Sequence, residues 1–98
     1  MFPLKRFVVK GHSMQPLFNP GDRVIVNRWA YLFSFPRPGD IVAFYDRNDR
    51  NKILLKKIEK ASGKYLFVIG LNTNDSLDSS SFGTVSKNQV IGKFLTKY

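Results

Sequence analysis

The chain of 98 residues contains no cysteine and a single histidine, His12. The lack of cysteine excludes disulfides, thiolate metal sites and a catalytic thiol. One histidine without clustered partners is weak support for a metal ligand. Because His12 is next to Ser13 in sequence, their side chains would point to opposite sides of an extended strand. A Ser-His-Asp triad is therefore hard to assemble, and we expect no metal and no other cofactor.

Long apolar runs are also missing. No stretch approaches the roughly 18 apolar residues of a transmembrane helix, and the N-terminus lacks the apolar core of a signal peptide. The length suits one domain, taken as residues 1–98. We expect a chain without a transmembrane segment that is cytoplasmic or peripheral at a membrane.

Acidic residues are scarce, since 7 Asp and Glu face 16 Lys and Arg, for a formal net charge of +9. Such a surface attracts polyanions, whether nucleic acid or anionic lipid headgroups. The basic residues are spread along the chain rather than gathered in one arm, which also fits a solubilising surface. Nucleic acid is therefore not expected as the main ligand, and peripheral contact with an anionic membrane is retained as a hypothesis.

Short β-branched and aromatic stretches, separated by turn residues, predict an all-β domain without helical periodicity. Two turns share the sequence Pro-Gly-Asp but are not interpreted as an internal repeat. Residues 46–51 are predicted to form a polar loop, and 71–83 a long polar segment. The predicted strands are 7–10, 23–28, 41–45, 53–58, 64–70 and 89–95.

A pair of lysines lies inside the apolar run of residues 53–58. On a strand, Lys56 shares its face with Leu54 and Ile58, whereas Lys57 shares the other face with Glu59. An amine enclosed by apolar side chains loses hydration of its charged form, so the pKa of Lys56 is predicted to fall. Lys56 is thus the candidate general base, and Lys57 is interpreted as a surface cation. Alternatively, both lysines are edge-strand charges that oppose aggregation.

Ser13 is the candidate nucleophile, because a serine can be activated by a neutral lysine amine without a histidine. Gly11 indicates a backbone that needs special dihedral angles close to the hydroxyl. The alternative is an ordinary turn or cap serine. Met14 is more typical of core filling than of a substrate contact.

The polar segment 71–83 offers a second hydroxyl, Ser76, as a candidate to orient the lysine amine through a hydrogen bond. Asp78 is a candidate acceptor for backbone groups of the same segment. A calcium loop is disfavoured because its closing Glu is missing. The alternative is an ordinary solvated loop.

The stretch Trp29–Phe35 is the most aromatic of the chain. An exposed aromatic cluster beside basic residues would suit a membrane interface. Core packing or a contact with a protein partner is the alternative, and the sequence favours it slightly.

Taken together, these segments resemble the Ser/Lys-dyad serine peptidases typified by signal peptidase I. Residues 11–16 are similar to the family's nucleophile box, Ser-Met-x-Pro, and residues 21–27 and 38–44 are similar to its two Gly-Asp boxes. Residues 55–58 are similar to its Lys-Arg-Val box. The family's last box is similar to residues 70–72, 76–79, 82–83 and 90–93. The anchor-less form is similar to the peptidases proposed to mature nickel-type superoxide dismutase. It also resembles the catalytic half of LexA-type repressors, but no DNA-binding or self-cleavage segment is identified.

The resemblance implies a signal-peptidase/LexA-like catalytic β-fold of short, coiled antiparallel strands. It implies a serine endopeptidase that binds an extended segment of a precursor protein, with Ser13 and Lys56 as the dyad and Ser76 and Asp78 in support. Three positions depart from the family pattern: Leu71 replaces an Asp, Ser80 replaces an Arg, and Gly11 stands where many bacterial members carry an oxyanion-hole serine. The alternative function is therefore a weak or inactive binding module that keeps the fold.

Overall fold

The computed structural model describes residues 3–9, 14–32, 34–46, 49–70 and 84–98. A single 3-10 turn, Lys87–Gln89, and seven strands form in this part of the chain. The strands are β1 (Leu4–Val8), β2 (Arg23–Asn27), β3 (Ile41–Asp46), β4 (Asp49–Ser62), β5 (Tyr65–Ile69), β6 (Val85–Ser86) and β7 (Val90–Lys97).

The described strands form one sheet in the order β1-β2-β7-β3-β4-β5-β6. Each neighbouring pair is antiparallel, so the predicted all-β class is confirmed. Strands β2 and β3 both pair antiparallel with β7 and therefore run parallel to each other. Their connection, residues 28–40, must cross over the sheet because parallel strands cannot be joined by a tight hairpin.

Strand bounds differ from the sequence prediction where polar residues form strand. Residues 46–51 were predicted as a loop, but β3 extends to Asp46 and β4 begins at Asp49, its partner in the hairpin. The prediction was wrong because backbone pairing in a hairpin does not require apolar side chains. The same reason explains β1, which begins at Leu4 rather than Phe7 and alternates exposed and half-buried residues. Strand β6, which pairs with β5, was missed because it is only 2 residues long.

The first Pro-Gly-Asp turn is closed by both the backbone and the side chain of Asp22. The Asp22 amide donates to the carbonyl of Asn19 at 3.0 Å, and the Asn19 amide donates to Asp22 Oδ2 at 2.8 Å. Gly21 has a φ of 92°, which a type II turn requires at its third position. The turn is tied to the last strand by an ion pair between Lys97 Nζ and Asp22 Oδ2 at 3.2 Å.

The second Pro-Gly-Asp turn repeats this geometry. The Asp40 amide donates to the carbonyl of Arg37 at 3.0 Å, the Arg37 amide donates to Asp40 Oδ2 at 3.1 Å, and Gly39 has a φ of 96°. Its carboxylate also pairs with a lysine of β7, Lys93, at 3.5 Å. The two Pro-Gly-Asp motifs thus share one local structure, although this likeness does not show a duplicated unit.

The buried side chains form two clusters, because alternate residues of β3 and β4 enter different ones. Ala43 and Leu55 belong to the first cluster, and Val42, Phe44 and Ile58 to the second. The other buried members of the first cluster are Val9, Met14, Phe18, Val24 and Val26. Those of the second are Leu66, Val68 and Val85.

Gly92 allows β7 to approach the end of β2. A Cβ atom at this position would lie 2.7 Å from the backbone oxygen of Asn27 and 3.2 Å from Cα of Arg28. These atoms belong to the backbone and cannot swing aside. The close approach fixes the point where the crossover leaves β2.

Candidate active site

Lys56 and Met14 are the sequence-predicted site residues that the structure describes. The candidate nucleophile Ser13, Gly11 and the candidates Ser76 and Asp78 lie outside the described residues, as does His12. The geometry of the site is therefore built from Lys56 and from the residues that flank Ser13.

Lys56 lies in the middle of β4, opposite Val42 of β3, and only 2% of its surface is exposed. It is the one charged side chain that is buried among the residues the structure describes. Its neighbours on the same face, Leu54 and Ile58, belong to or pack against the second apolar cluster. The placement agrees with the face predicted from strand alternation. Lys57, predicted to be a surface cation, is half-buried on the opposite face.

Burial of Lys56 is unusual for its residue type. Lysine normally keeps its ammonium in water by extending its stem along the protein surface. An apolar enclosure disfavours the charged form. The strand thus holds a buried amine between Leu54 and Ile58.

The described residues on either side of Ser13 are held by backbone hydrogen bonds. Before it, the Val9 amide donates to the carbonyl of Asp22 at 2.8 Å, and the Gly21 amide donates to the carbonyl of Val9 at 2.9 Å. After it, Met14 is 2% exposed, and its carbonyl accepts from the Phe18 amide at 2.9 Å. Met14 therefore fills the core, as its residue type suggested. The Gln15–Pro16 peptide bond that follows is cis.

The two candidate boxes share one core cluster. Val9 and Met14, which flank residues 10–13, belong to the same cluster as Leu55. Leu55 directly precedes Lys56 on β4. The structure thus packs the chain on both sides of the Ser13 segment into the cluster that holds the residue beside Lys56. Sequence reasoning did not find this link, because it depends on the register of β3 and β4.

The second Pro-Gly-Asp turn supports β4 close to Lys56. The Gly39 amide donates to the carbonyl of Ile58, and the Ile58 amide donates to the carbonyl of Asp40, both at 2.8 Å. The turn therefore bonds to both backbone groups of the residue two positions after Lys56, which fixes the strand there.

The Asp40 carboxylate joins the crossover to this turn. Tyr31 of the crossover donates its hydroxyl hydrogen to Asp40 Oδ2 at 2.8 Å. Burial, and then the hydrogen bond and charge of Asp40, raise the pKa of Tyr31. The Pro-Gly-Asp motif identified Asp40 in the sequence as a turn residue. Its hydrogen-bond partner Tyr31 was not predictable, because that residue comes from the crossover.

Three side chains of the aromatic segment point to solvent. Trp29, Leu32 and Phe35 are 47%, 61% and 70% exposed. Core packing, one of the two interpretations that the sequence slightly favoured, is therefore wrong for these three residues, and a contact with a protein partner stays a prediction. It holds for Tyr31, which packs against the second cluster.

The part of the chain that is described offers no helix long and apolar enough to span a bilayer. Over the same residues, no three His, Cys, Asp or Glu side chains come together as a metal-binding group.

Comparison with protein families gives one match, whose two ranges together span the whole chain. The model of the family described as "Signal peptidase, peptidase S26" matches residues 1–63 and 59–98. The two matched ranges contain both candidate dyad residues.

Several characterised proteins are also similar. The chain is 28% identical over 113 aligned positions to mitochondrial inner membrane protease subunit 2 of Saccharomyces cerevisiae, covering 90% of this chain and 64% of the yeast protein. It is 26% identical to signal peptidase I of Bacillus caldolyticus, covering all of this chain and 81% of that protein. It is 24% identical to thylakoidal processing peptidase 1 of Arabidopsis thaliana, of which it covers 39%. The chain thus spans less than two thirds of the yeast and plant relatives.

Proposed function

Because the chain belongs to the signal peptidase family, peptidase S26, we propose that it is a serine endopeptidase that removes a signal or pro-peptide from a precursor protein. The similar proteins named above are proteases and peptidases. The proposed substrate is an extended segment of the precursor.

The observation that carries the proposal is the burial of Lys56. A lysine is rarely buried to 2% exposure, because burial of its amine costs free energy unless the amine is paired or hydrogen-bonded. We connect this buried amine with the activation of a serine, which requires an amine that is neutral near physiological pH. Val9, Met14 and Leu55 in one cluster add support, since they anchor both the Ser13 segment and the strand of Lys56.

In the proposed acylation step, Oγ of Ser13 attacks the scissile carbonyl carbon while neutral Lys56 takes the hydroxyl proton. The tetrahedral oxyanion is stabilised by backbone amides, including that of Ser13. When the intermediate collapses, the C–N bond breaks and the Lys56 ammonium donates its proton to the leaving amine. The products of this step are an ester on Ser13 and a free amine.

In the proposed deacylation step, Lys56 takes a proton from a water molecule that attacks the ester carbonyl. Collapse of the second tetrahedral intermediate breaks the C–O bond and returns a proton to Oγ of Ser13. Ser76 is proposed to orient the Lys56 amine by a hydrogen bond, and Asp78 to support the segment that carries Ser76.

A serine-reactive acylating probe tests this proposal, with labelling read by intact mass and by peptide mapping. We expect one label at Ser13 in the wild type, and none in Ser13→Ala or Lys56→Met. The matched control is Ser62→Ala, which alters an exposed serine at the end of β4 and should label like the wild type. Labelling that persists in Ser13→Ala would sink the assignment.

The competing proposal is a binding module that keeps the fold and has weak or no activity. Leu71, Ser80 and Gly11, which depart from the family pattern, support it. It predicts that a folded wild-type protein remains unlabelled by the probe yet binds an extended peptide. Retention of both Ser13 and Lys56 argues against it, since a decayed site has no reason to keep both residue types.

The proposal also includes where in the cell the protein acts. The net charge of +9 favours contact with an anionic membrane surface, peripheral rather than spanning. A co-sedimentation assay with anionic vesicles tests this, and no pelleting at low salt would contradict it.

A further inference from the structure

We propose that Lys97 is a positioning residue that holds the chain on both sides of Ser13 and so fixes the place of the Ser13 hydroxyl. The inference rests on the proposed peptidase function, because it concerns how fast Ser13 is acylated. It is carried by three contacts of one ammonium group, which belongs to the last residue of β7 and is remote from Ser13 in sequence.

The ammonium group of Lys97 contacts the residues that follow Ser13. Its Nζ donates to the carbonyl of Leu17 at 2.6 Å and lies 5.1 Å from the ring centroid of Phe18. Hydrogen bonds in which the donor is charged are among the stronger ones in proteins. The Phe18 amide in turn donates to the carbonyl of Met14 at 2.9 Å. Lys97 therefore holds a backbone turn whose first residue is the neighbour of Ser13.

The same ammonium group contacts the residue that holds the chain before Ser13. Lys97 Nζ lies 3.2 Å from Oδ2 of Asp22, and the carbonyl of Asp22 accepts from the Val9 amide at 2.8 Å. Val9 is the last described residue before Ser13. One side chain thus connects the backbone that enters residues 10–13 with the backbone that leaves them.

The inner side of the turn is fixed by packing. Met14 and Phe18 are 2% and 0% exposed, and the rings of Phe18 and Phe94 meet edge to face with their centroids 4.7 Å apart. Phe94 and Lys97 both belong to β7, so one strand contacts the turn through an apolar and a charged residue. The apolar contact anchors the turn in the core, and Lys97 holds its outer edge.

The contacts of Lys97 are better suited to positioning than to stabilising the fold. The side chains of Lys97 and Asp22 are 44% and 28% exposed, and ion pairs close to water contribute little to the free energy of unfolding. A reacting group, in contrast, is sensitive to its position, since a misplacement of about 1 Å can slow a reaction about a hundred-fold. Removal of the Lys97 ammonium is therefore expected to slow the reaction in a protein that still folds.

Labelling of Ser13 by the serine-reactive acylating probe measures this effect in the full chain. The rate constant at saturating probe, the probe concentration at half saturation and the final labelled fraction are determined separately. We expect Lys97→Met to lower the rate constant about ten-fold and to leave the other two quantities unchanged. Lys97→Arg should label within about two-fold of the wild type, because a guanidinium keeps the hydrogen bond and the ion pair.

Arg23→Gln is the matched control. Arg23 is an exposed cation at the start of β2, next to Val24, which is the register partner of Lys97. The guanidinium of Arg23 lies 5.1 Å from the ring centroid of Tyr98. Arg23→Gln removes one positive charge at the same end of the sheet, as Lys97→Met does, and its labelling rate should equal that of the wild type.

Amide hydrogen exchange gives a second readout that does not depend on activity. Without the contact from Lys97 to Leu17, the hydrogen bond from the Phe18 amide to the Met14 carbonyl should open more often. The Phe18 amide should therefore exchange faster in Lys97→Met than in the wild type. In Lys97→Arg and Arg23→Gln it should exchange at the wild-type rate.

Each contrary outcome has a distinct meaning. A wild type that labels, together with a Lys97→Met variant that labels at the same rate, would overturn the positioning role and leave the proposed peptidase standing. A lower labelled fraction at an unchanged rate constant would show that Lys97 only stabilises the fold, and an equal loss of rate in Arg23→Gln would show a general effect of charge. Unchanged exchange at Phe18 would place the effect of Lys97 outside this turn. A folded wild type that is never labelled would contradict the proposed function, and the positioning role would fall with it.

Discussion

The buried amine of Lys56 predicts that the stability difference between Lys56→Met and the wild type depends on pH, and that the variant loses activity. Methionine fills a similar apolar volume and does not titrate. The Lys56 side chain is 2% exposed, so its charged form loses hydration in the folded protein. At low pH the wild type therefore bears a desolvation cost that Lys56→Met does not bear.

The size of the effect depends on pH in a definite direction. We expect burial to hold the pKa of Lys56 in the folded protein below its pKa in the unfolded chain. Between these two pKa values the unfolded chain binds the extra proton. The free energy of unfolding of the wild type then rises by about 1.4 kcal/mol per pH unit, so Lys56→Met loses stability relative to the wild type as the pH rises.

Urea unfolding of both proteins between about pH 6 and pH 9.5 measures this difference. When the plots of unfolding free energy against pH are subtracted, the contributions of titratable groups common to both proteins cancel. Lys60→Met is the matched control, because Lys60 is exposed on the same strand and should give a difference that does not vary with pH. A Lys56→Met difference that is flat with pH, or that changes with pH in the opposite direction, would refute the reasoning.

Three further predictions concern the frame around the site. Gly92→Ala should lower the free energy of unfolding by about 1–3 kcal/mol, because the added Cβ atom would meet the backbone of Asn27. Thermal unfolding measures this loss, and an unchanged melting temperature would contradict the prediction. The Asn19 amide and then the Lys97 side chain lower the pKa of Asp22 below 3.8. Asp22→Asn should therefore destabilise the folded protein above pH 3.8 and have no effect once the pH falls through the pKa of Asp22 in the folded protein. Melting curves at pH 7 and at low pH test this prediction. Tyr31→Phe should lower the free energy of unfolding by about 1 kcal/mol, because the hydrogen bond to Asp40 is lost. Because the pKa of Tyr31 is raised, an alkaline titration of the folded wild type should show no absorbance change from ionisation of Tyr31 before the protein unfolds.

Local pattern accounts for the parts of the fold that the sequence predicted. Strand alternation put Lys56 among Leu54 and Ile58, and the structure buries it there, because the side-chain period of a strand is fixed by its backbone. The two Pro-Gly-Asp turns were predicted at their observed places, since proline and glycine set the dihedral angles of a type II turn.

Long-range register accounts for the parts that the sequence did not predict. The packing of Val9, Met14 and Leu55 in one cluster and the bond of Tyr31 to Asp40 depend on which strands become neighbours. The sequence left the exposure of Trp29 and Phe35 undecided for a related reason. A crossover has one inner and one outer side, and composition alone does not say which residues face which.

The pH dependence of Ser13 acylation tests the central claim most directly. The labelling rate is measured by intact mass across the neutral and alkaline range, in the wild type and in Lys56→Met. A Ser/Lys dyad predicts labelling that rises with an apparent pKa well below about 10.4 and that is lost in Lys56→Met. A folded wild-type protein that remains unlabelled at every pH, or a Lys56→Met variant that labels like the wild type, would contradict the dyad.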